Sequence, residues 1–313
     1  MIASNICKDL YESLQRNRLK GQIHSVFDNS FNVIDQDNHL ISFLGPNKPM
    51  APRSIKLTEK ISFIDLGFEQ GQKLEFYDDF VFLKENNIII SFDKALLWNK
   101  EPLLFSDIDL AKDSMENVFR KLCLMGTFIL EEGKKEGIVP LLKTLEGKIK
   151  GIEPILDNNI LLSKREEFIR ERFLAFIDSY LKENIEEIPL RSKDIIGFGI
   201  GLTPSMDDFL SGMMVSRIYL SSYLNHDFKK AIEINKAIVK NIKNKTTLVS
   251  EEMLKYSSMG EVNEDVRNLM ATFLSNSSTN TFYKYLKKVA DFGETSGTDM
   301  ISGIYIGSQI LLN

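Results

Sequence analysis

Cysteine, histidine and tryptophan are scarce in this chain, at two, three and one among 313 residues. Cys7 and Cys123 stand far apart and outside any CxxC or CxxH spacing, so no disulfide framework can be drawn, and both read as reduced, buried thiols. His24, His39 and His226 are scattered and offer neither metal-ligand spacing nor a histidine-based triad. Long apolar runs are missing as well. The longest, such as Leu122–Leu130 and Ile304–Leu312, fall far short of the ~20 residues that span a bilayer. Residues Met1 to Leu10 are interrupted by polar side chains too early for the apolar region of a signal peptide. These features predict a soluble, intracellular, cytoplasmic protein with no membrane contact.

A positive excess is also lacking. Lys and Arg number 39 against 44 Asp and Glu, a net charge of −5, so nothing draws the whole molecule to nucleic acid or an anionic membrane. The densest basic run, Lys240-Asn241-Ile242-Lys243-Asn244-Lys245, reads as a solvated helix end. Hydrophobic residues make up 43%, aromatics 10% and charged residues 27%, the balance of an ordinary globular protein whose core needs no staple.

The pattern along the chain predicts an α+β protein with a small β-barrel or sandwich-like domain over residues 1–100 and a mainly helical domain over 101–313. Ile2, Ile6, Leu10 and Leu14 recur at helical spacing and predict an opening amphipathic helix. Short β-branched or aromatic runs then follow at Gln22–Phe27, Phe31–Asp35, Leu40–Leu44, Arg53–Leu57, Lys60–Asp65, Lys73–Tyr77, Phe80–Leu83 and Ile88–Phe92. Turn residues such as Asp28-Asn29-Ser30 and Asn86-Asn87 separate them. Beyond Pro102 the character is helical. Ser106-Asp107-Ile108-Asp109 has the form of a capping box, and Phe168, Ile169, Phe173, Phe176, Ile177, Tyr180 and Leu181 form an apolar stripe on one long helix. Further helical patterns run through 209–224, 228–242, 248–256, 266–274 and 281–289.

Two segments differ from their surroundings: Gly197-Phe-Gly199-Ile-Gly201-Leu-Thr203-Pro204-Ser205-Met206-Asp207-Asp208-Phe-Leu-Ser211-Gly212, and Gly293-Glu294-Thr295-Ser296-Gly297-Thr298-Asp299-Met-Ile-Ser302-Gly303. Aligned with one gap, both carry Gly-x-Thr, an Asp, two apolar residues and Ser-Gly. Gly212 and Ser216 then match Gly303 and Gly307, small residues four apart on each following helix. We read an internal pseudo-repeat in which a tight loop feeds a helix with a small-residue face. Packing of those faces would bring both loops to one place.

Capping alone accounts for part of this pattern: Thr203-Pro204 reads as N-cap and N1, and Ser205-x-x-Asp208 and Ser296-x-x-Asp299 as capping boxes. It does not account for three alternating glycines or for the recurrence. Glycines opening a helix offer N–H groups and the positive dipole end to an anion. The spacing GxGxG, with no following GK[ST], fits neither a dinucleotide fingerprint nor a P-loop. The carboxylates would repel a bare phosphate, but fit an amide, an ammonium group or a divalent cation such as Mg2+ bridging to an anion. Asp207 and Asp208 project about 100° apart on a helix, so one faces the site and the other a cap or solvent. Asp208 aligns with Asp299 and is favoured. Weaker candidates are Arg53, Lys193 and Arg191 as anion-binding cations and Glu294 as an acid–base group. Thr246 and Thr247 read as helix caps, and Trp98 as core or domain interface.

At these two segments the chain resembles the AllH (YlbF) family, long classed as a domain of unknown function, which includes a subunit of bacterial oxamate carbamoyltransferase. The likeness covers the whole layout, and its specific part is the first motif. It implies carbamoyl transfer between oxalurate and phosphate, giving oxamate and carbamoyl phosphate, in anaerobic allantoin catabolism. It also implies AllF-like and AllG-like partner subunits. It carries over to Gly197, Gly199, Gly201, Thr203, Pro204, Ser205, Asp207, Asp208, Thr295, Ser296, Gly297 and Asp299. Two positions depart from the family pattern: Met206 replaces a usual glycine, and Glu294 a frequent histidine. The resulting expectation is a transferase subunit. Asp208, Asp299, Ser205 and Thr203 would serve catalysis, while the glycines, Asp207, Thr295, Ser296, Gly297, Glu294 and Arg53 would bind a small anionic metabolite or phosphate. A metabolite-binding scaffold subunit and a metal-dependent hydrolase using the aspartates stay open as alternatives, as does a homo-oligomer.

Overall fold

The structure is a computed structural model and describes residues 1–104, 111–152 and 164–313. The chain divides into two compact units, residues 1–101 with 262–264, and residues 102–261 with 265–313.

The first unit is a curled sheet of nine strands: β1 (Ala3–Cys7), β2 (Lys20–Phe27), β3 (Ser30–Asp35), β4 (Leu40–Leu44), β5 (Ser54–Leu57), β6 (Lys73–Phe76), β7 (Phe80–Leu83), β8 (Ile88–Ser91) and β9 (Leu96–Trp98). Their order is β8-β7-β6-β2-β3-β4-β5-β1-β9. Most neighbours are antiparallel, while β4–β5 and β1–β9 are parallel. A bridge from Ile2 to Ser91 ties the start of β1 to the end of β8, so the sheet curls back on itself in the barrel-like manner that many short strands allow. Phe31 and Phe43 stack at 4.4 Å inside it, and Phe63 and Phe68 meet Phe31 edge-on. Trp98 is buried in the same core.

The opening helix of the sequence reading is half a strand. Residues 3–7 form β1, and the helix, α1 (Lys8–Arg16), begins only at Lys8. Ile2 and Ile6 are four apart, a spacing that satisfies the strand period of two as well as the helical period. No strand forms over Lys60–Asp65, which is coil and turn, and β9 is an element the pattern did not indicate.

The helices of the second unit are α2 (Met115–Glu131), α3 (Leu142–Ile149), α4 (Lys164–Leu181), α5 (Ile188–Ser192), α6 (Ser205–Leu224), α7 (Phe228–Val239), α8 (Leu248–Ser257), α9 (Glu264–Leu274), α10 (Thr279–Ala290) and α11 (Ser296–Leu312). The helical patterns read from the sequence therefore form helices, and Ile169, Phe173, Phe176, Ile177 and Tyr180 of α4 are buried. Phe168, placed on the same stripe, points to solvent. Cys123, expected to be buried, is exposed on α2, while Cys7 is buried; both are free thiols. The capping box at 106–109 lies outside the described residues. Among the described residues, no helix is long and apolar enough to cross a membrane.

The centre of this unit is the crossing of α6 and α11. Nearly every residue of α6 is buried, including four of its five serines, and α11 is buried over its first thirteen residues except Ser296. The two helices touch backbone to backbone. A Cβ on Gly212 would stand 2.1 Å from the Met300 carbonyl oxygen, and one on Gly303 would stand 1.9 Å from that of Phe209. Phe209 and Met300 occupy equivalent places in the two motifs, so the contact is reciprocal, as the pseudo-repeat requires.

Close approach of this kind tolerates no side chain, because a backbone carbonyl cannot step aside as a flexible side chain can. Gly307 is less constrained: its nearest neighbour is the rotatable Ser216 hydroxyl, at 2.2 Å from a Cβ. Gly303→Ala is therefore expected to cost roughly 3 kcal/mol, and Gly307→Ala clearly less. Urea unfolding of the two variants checks the order; equal losses would show that the crossing is not backbone-limited.

Candidate functional site

The packing of α6 on α11 sets their N-terminal ends side by side, and the residues there interlock across the two motifs. Thr203 and Ser296 share a hydrogen bond of 3.0 Å, and Ser205 and Thr295 approach to 3.4 Å. The threonine of each motif thus meets the serine of the other. The carboxylates continue the exchange. Asp208 is influenced by the hydroxyls of Ser296 and Thr203, and Asp299 by those of Ser205 and Thr295. Convergence of the two loops, expected from the small-residue faces, is therefore present.

Neither helix uses these side chains as caps. The residue before α6 is Pro204, the residue before α11 is Thr295, and neither makes a side-chain cap bond. The hydroxyls that a capping reading assigns to the helix ends instead face across the crossing. Thr247, by contrast, does cap α8, accepting from the Ser250 N–H.

Asp207 and Asp208 diverge as their spacing requires, but Asp207 turns to neither solvent nor a cap. It is fully buried, with Oδ1 accepting from the Gly197 N–H at 2.7 Å and Oδ2 from the Thr246 and Ser250 hydroxyls at 2.5 and 2.6 Å. It fastens the glycine loop and the start of α6 to the start of α8. The loop can make this turn because Gly197 and Gly199 have φ of +80° and +145°. A Cβ at these positions would stand 2.2 Å from the Lys245 carbonyl oxygen and the Ser205 nitrogen. Gly201 lies beyond, exposed beside Ile200, which is 71% exposed.

Asp299 is held from a third direction. Its Oδ1 accepts from the Ile138 N–H at 2.7 Å, in the turn between α2 and α3. Gly137 passes so close that a Cβ would stand 2.3 Å from the same oxygen. The Lys134 N–H in this turn donates to the Thr298 hydroxyl. Gly137, Ile138, Thr246 and Ser250 were not among the site residues read from the sequence, because their place here depends wholly on tertiary packing. Only the glycine at 137 carries a local sign, a φ of +75°.

The remaining candidates make none of these side-chain contacts. Glu294 is exposed, and Gly297 packs against the Val289 carbonyl. Arg53 belongs to the first unit, where it pairs with Asp35 at 2.5 Å. Arg191 pairs with Glu187.

Electrostatically the site is unusual. Asp207, Asp208 and Asp299 are 0%, 2% and 0% exposed, and among the described residues none forms an ion pair. Burial pushes all three carboxyls above the ordinary range, against the hydrogen bonds that hold them down. Asp208 is raised well above it, with the Asp299 charge adding to the effect, and Asp299 reaches about 6. Among the described residues, Asp208 Oδ2 and Asp299 Oδ2 are buried without a hydrogen-bond partner. Buried polar atoms are nearly always paired, so these two oxygens are exceptions that call for an explanation. The hydroxyls around them are engaged with the carboxylates and with one another. Among the described residues, no three His, Cys, Asp or Glu side chains converge as a metal cage.

Comparison with known families agrees with this layout. Residues 195–308 match the family model described as oxamate carbamoyltransferase subunit AllH, and residues 2–97 match the AllH family N-terminal domain. No solved structure matches the chain.

The raised carboxyls give a signed pH dependence. The folded state keeps the Asp299 proton up to about pH 6, whereas the unfolded chain releases it near 4. Stability is therefore lost as pH rises between these values, by up to about 3 kcal/mol for this group alone. Asp299→Asn retains the acceptor for the Ile138 N–H and removes the charge. In chelator, the variant is expected to be more stable than the wild type at pH 7.5 and equal to it near pH 4. Chemical unfolding at several pH values checks this, and a difference independent of pH would contradict it.

Proposed function

We propose that this chain, which belongs to the AllH family of oxamate carbamoyltransferase subunits, holds a small reactant of carbamoyl transfer where α6 and α11 begin. The observation that carries the reading is the reciprocal interlock of the two motifs around two buried, unpartnered carboxylate oxygens. A structural repeat alone has no use for such oxygens, because each lowers stability until something meets it.

In the proposed reaction, phosphate attacks the carbamoyl carbon of oxalurate. The C–N bond to the oxamate nitrogen breaks and a C–O bond to phosphate forms. The proton leaving phosphate ends on that nitrogen, giving oxamate and carbamoyl phosphate. Each reactant is a small anion bearing an amide or a phosphate. An acceptor-rich face meets such molecules through amide N–H groups or through a cation, and the roles follow from that. Asp208 and Asp299 present the acceptors, Ser205, Ser296, Thr203 and Thr295 fix their orientation, and Asp207 holds the glycine loop in register. The absence of an activated nucleophile among these residues favours direct transfer over a covalent intermediate. AllF-like and AllG-like subunits complete the assembly in this proposal, within allantoin catabolism.

Thermal-shift titrations with phosphate, carbamoyl phosphate, oxamate and oxalurate, each with and without Mg2+, test the reading. A ligand at 100 times its Kd adds ~2.7 kcal/mol, which amounts to several degrees of Tm for a protein of this size. The expected outcome is a shift with carbamoyl phosphate or oxalurate that Asp208→Asn abolishes. No shift with any reactant, together with full activity of the assembled complex carrying Asp208→Asn, would instead make this chain a scaffold subunit.

A further inference from the structure

We propose that Asp208 Oδ2 and Asp299 Oδ2 jointly hold one hard divalent cation of the Mg2+ class, which seats the anionic end of the reactant. This rests on the reading that a carbamoyl-transfer reactant binds here, and it specifies how the site accepts an anion.

Four observations lead to the cation. Two carboxylates from separate helix starts, close enough for the Asp299 charge to act on Asp208, each leave one oxygen without a partner among the described residues, and both are 2% exposed or less. Among the described residues, no Lys, Arg or His pairs with either, so their charge is uncompensated within the protein. The side chains that act on the pair all offer oxygen: the Ser296 and Thr203 hydroxyls on Asp208, and the Ser205 and Thr295 hydroxyls on Asp299. Such an all-oxygen set suits a hard ion and not a soft one. Finally, a phosphate or carboxylate reactant would be repelled by the bare pair, and a divalent ion reverses that sign.

The donor count fits as well. Asp207 is taken up by Gly197, Thr246 and Ser250, and the two remaining carboxylates leave most of an octahedral shell to water and reactant oxygens. Mg2+ is commonly held in this way, by one or two carboxylates plus the oxygens of a phosphate. The reciprocal arrangement supplies one ligand from each motif, so neither loop alone makes the site.

The test uses the full chain, stripped with chelator, and follows Mn2+ binding by electron paramagnetic resonance with Mg2+ as competitor. We expect one Mn2+ per chain, displaced by Mg2+, with affinity at least tenfold weaker in Asp208→Asn and in Asp299→Asn. The exposed Asp194→Asn should bind as the wild type does. Circular dichroism confirms that each variant is folded, and Ser205→Ala, which removes one hydroxyl acting on Asp299 but leaves both carboxylates in place, should weaken binding less. Added carbamoyl phosphate should tighten Mn2+ retention. Absence of Mn2+ binding, or binding unchanged in both aspartate variants, overturns the cation. If reactants still stabilise the chelated chain in that case, the reactant site survives without the ion. If Mn2+ binds as expected but no reactant alters Tm in its presence, the cation stands and the carbamoyl-transfer reading of the site falls.

Discussion

The backbone contact between α6 and α11 is the constraint on which the second unit depends. Two helices normally lie 8–10 Å apart because side chains intervene. Here Gly212 and Gly303 remove that spacer, and each lies against a carbonyl of the opposite helix. The result is a fixed crossing with little freedom to slide or rotate. Because the crossing lies one turn beyond the helix starts, it also fixes the distance between the two motifs. The hydroxyl interlock and the meeting of Asp208 with Asp299 follow from that geometry.

Around this crossing the unit supports a cluster whose charges oppose folding. Three carboxylates are buried with hydrogen bonds but without counter-cations among the described residues. Asp207 is satisfied by three donors and serves as a fastening. Asp208 and Asp299 each keep an oxygen that has no hydrogen-bond partner among the described residues. The contrast between neighbouring residues 207 and 208 shows that burial alone is not the distinguishing feature of the site. Unmet acceptor capacity is.

Much of this was legible in the sequence because it is written in local patterns. Alternating β-branched and aromatic runs mark most of the sheet, and the small-residue spacing at 212, 216, 303 and 307 marks the crossing. Where the reading failed, a pattern had two solutions or none. Ile2 and Ile6 suit a strand and a helix alike. Leu96 and Leu97 are both exposed, so β9 shows no alternation to detect. Thr203, Ser205, Thr295 and Ser296 carry the signature of helix caps, and only the presence of the opposite motif redirects their hydroxyls. The contributions of Ile138, Thr246 and Ser250 have no local signature, since each acts through a contact with a distant part of the chain.

The hold of Ile138 on Asp299 has a consequence for how the molecule folds. The cluster draws on residues near 138, 205, 250 and 299, segments separated by 40 residues or more along the chain. Loop closure over such separations is entropically unfavourable until most of the intervening helices are packed. A partly folded chain therefore cannot hold a rudimentary form of the site. The two aspartates remain in water, hydrated and ordinary in their acidity, until the last long-range contacts close, and they take on their altered acidity only as the native state is reached.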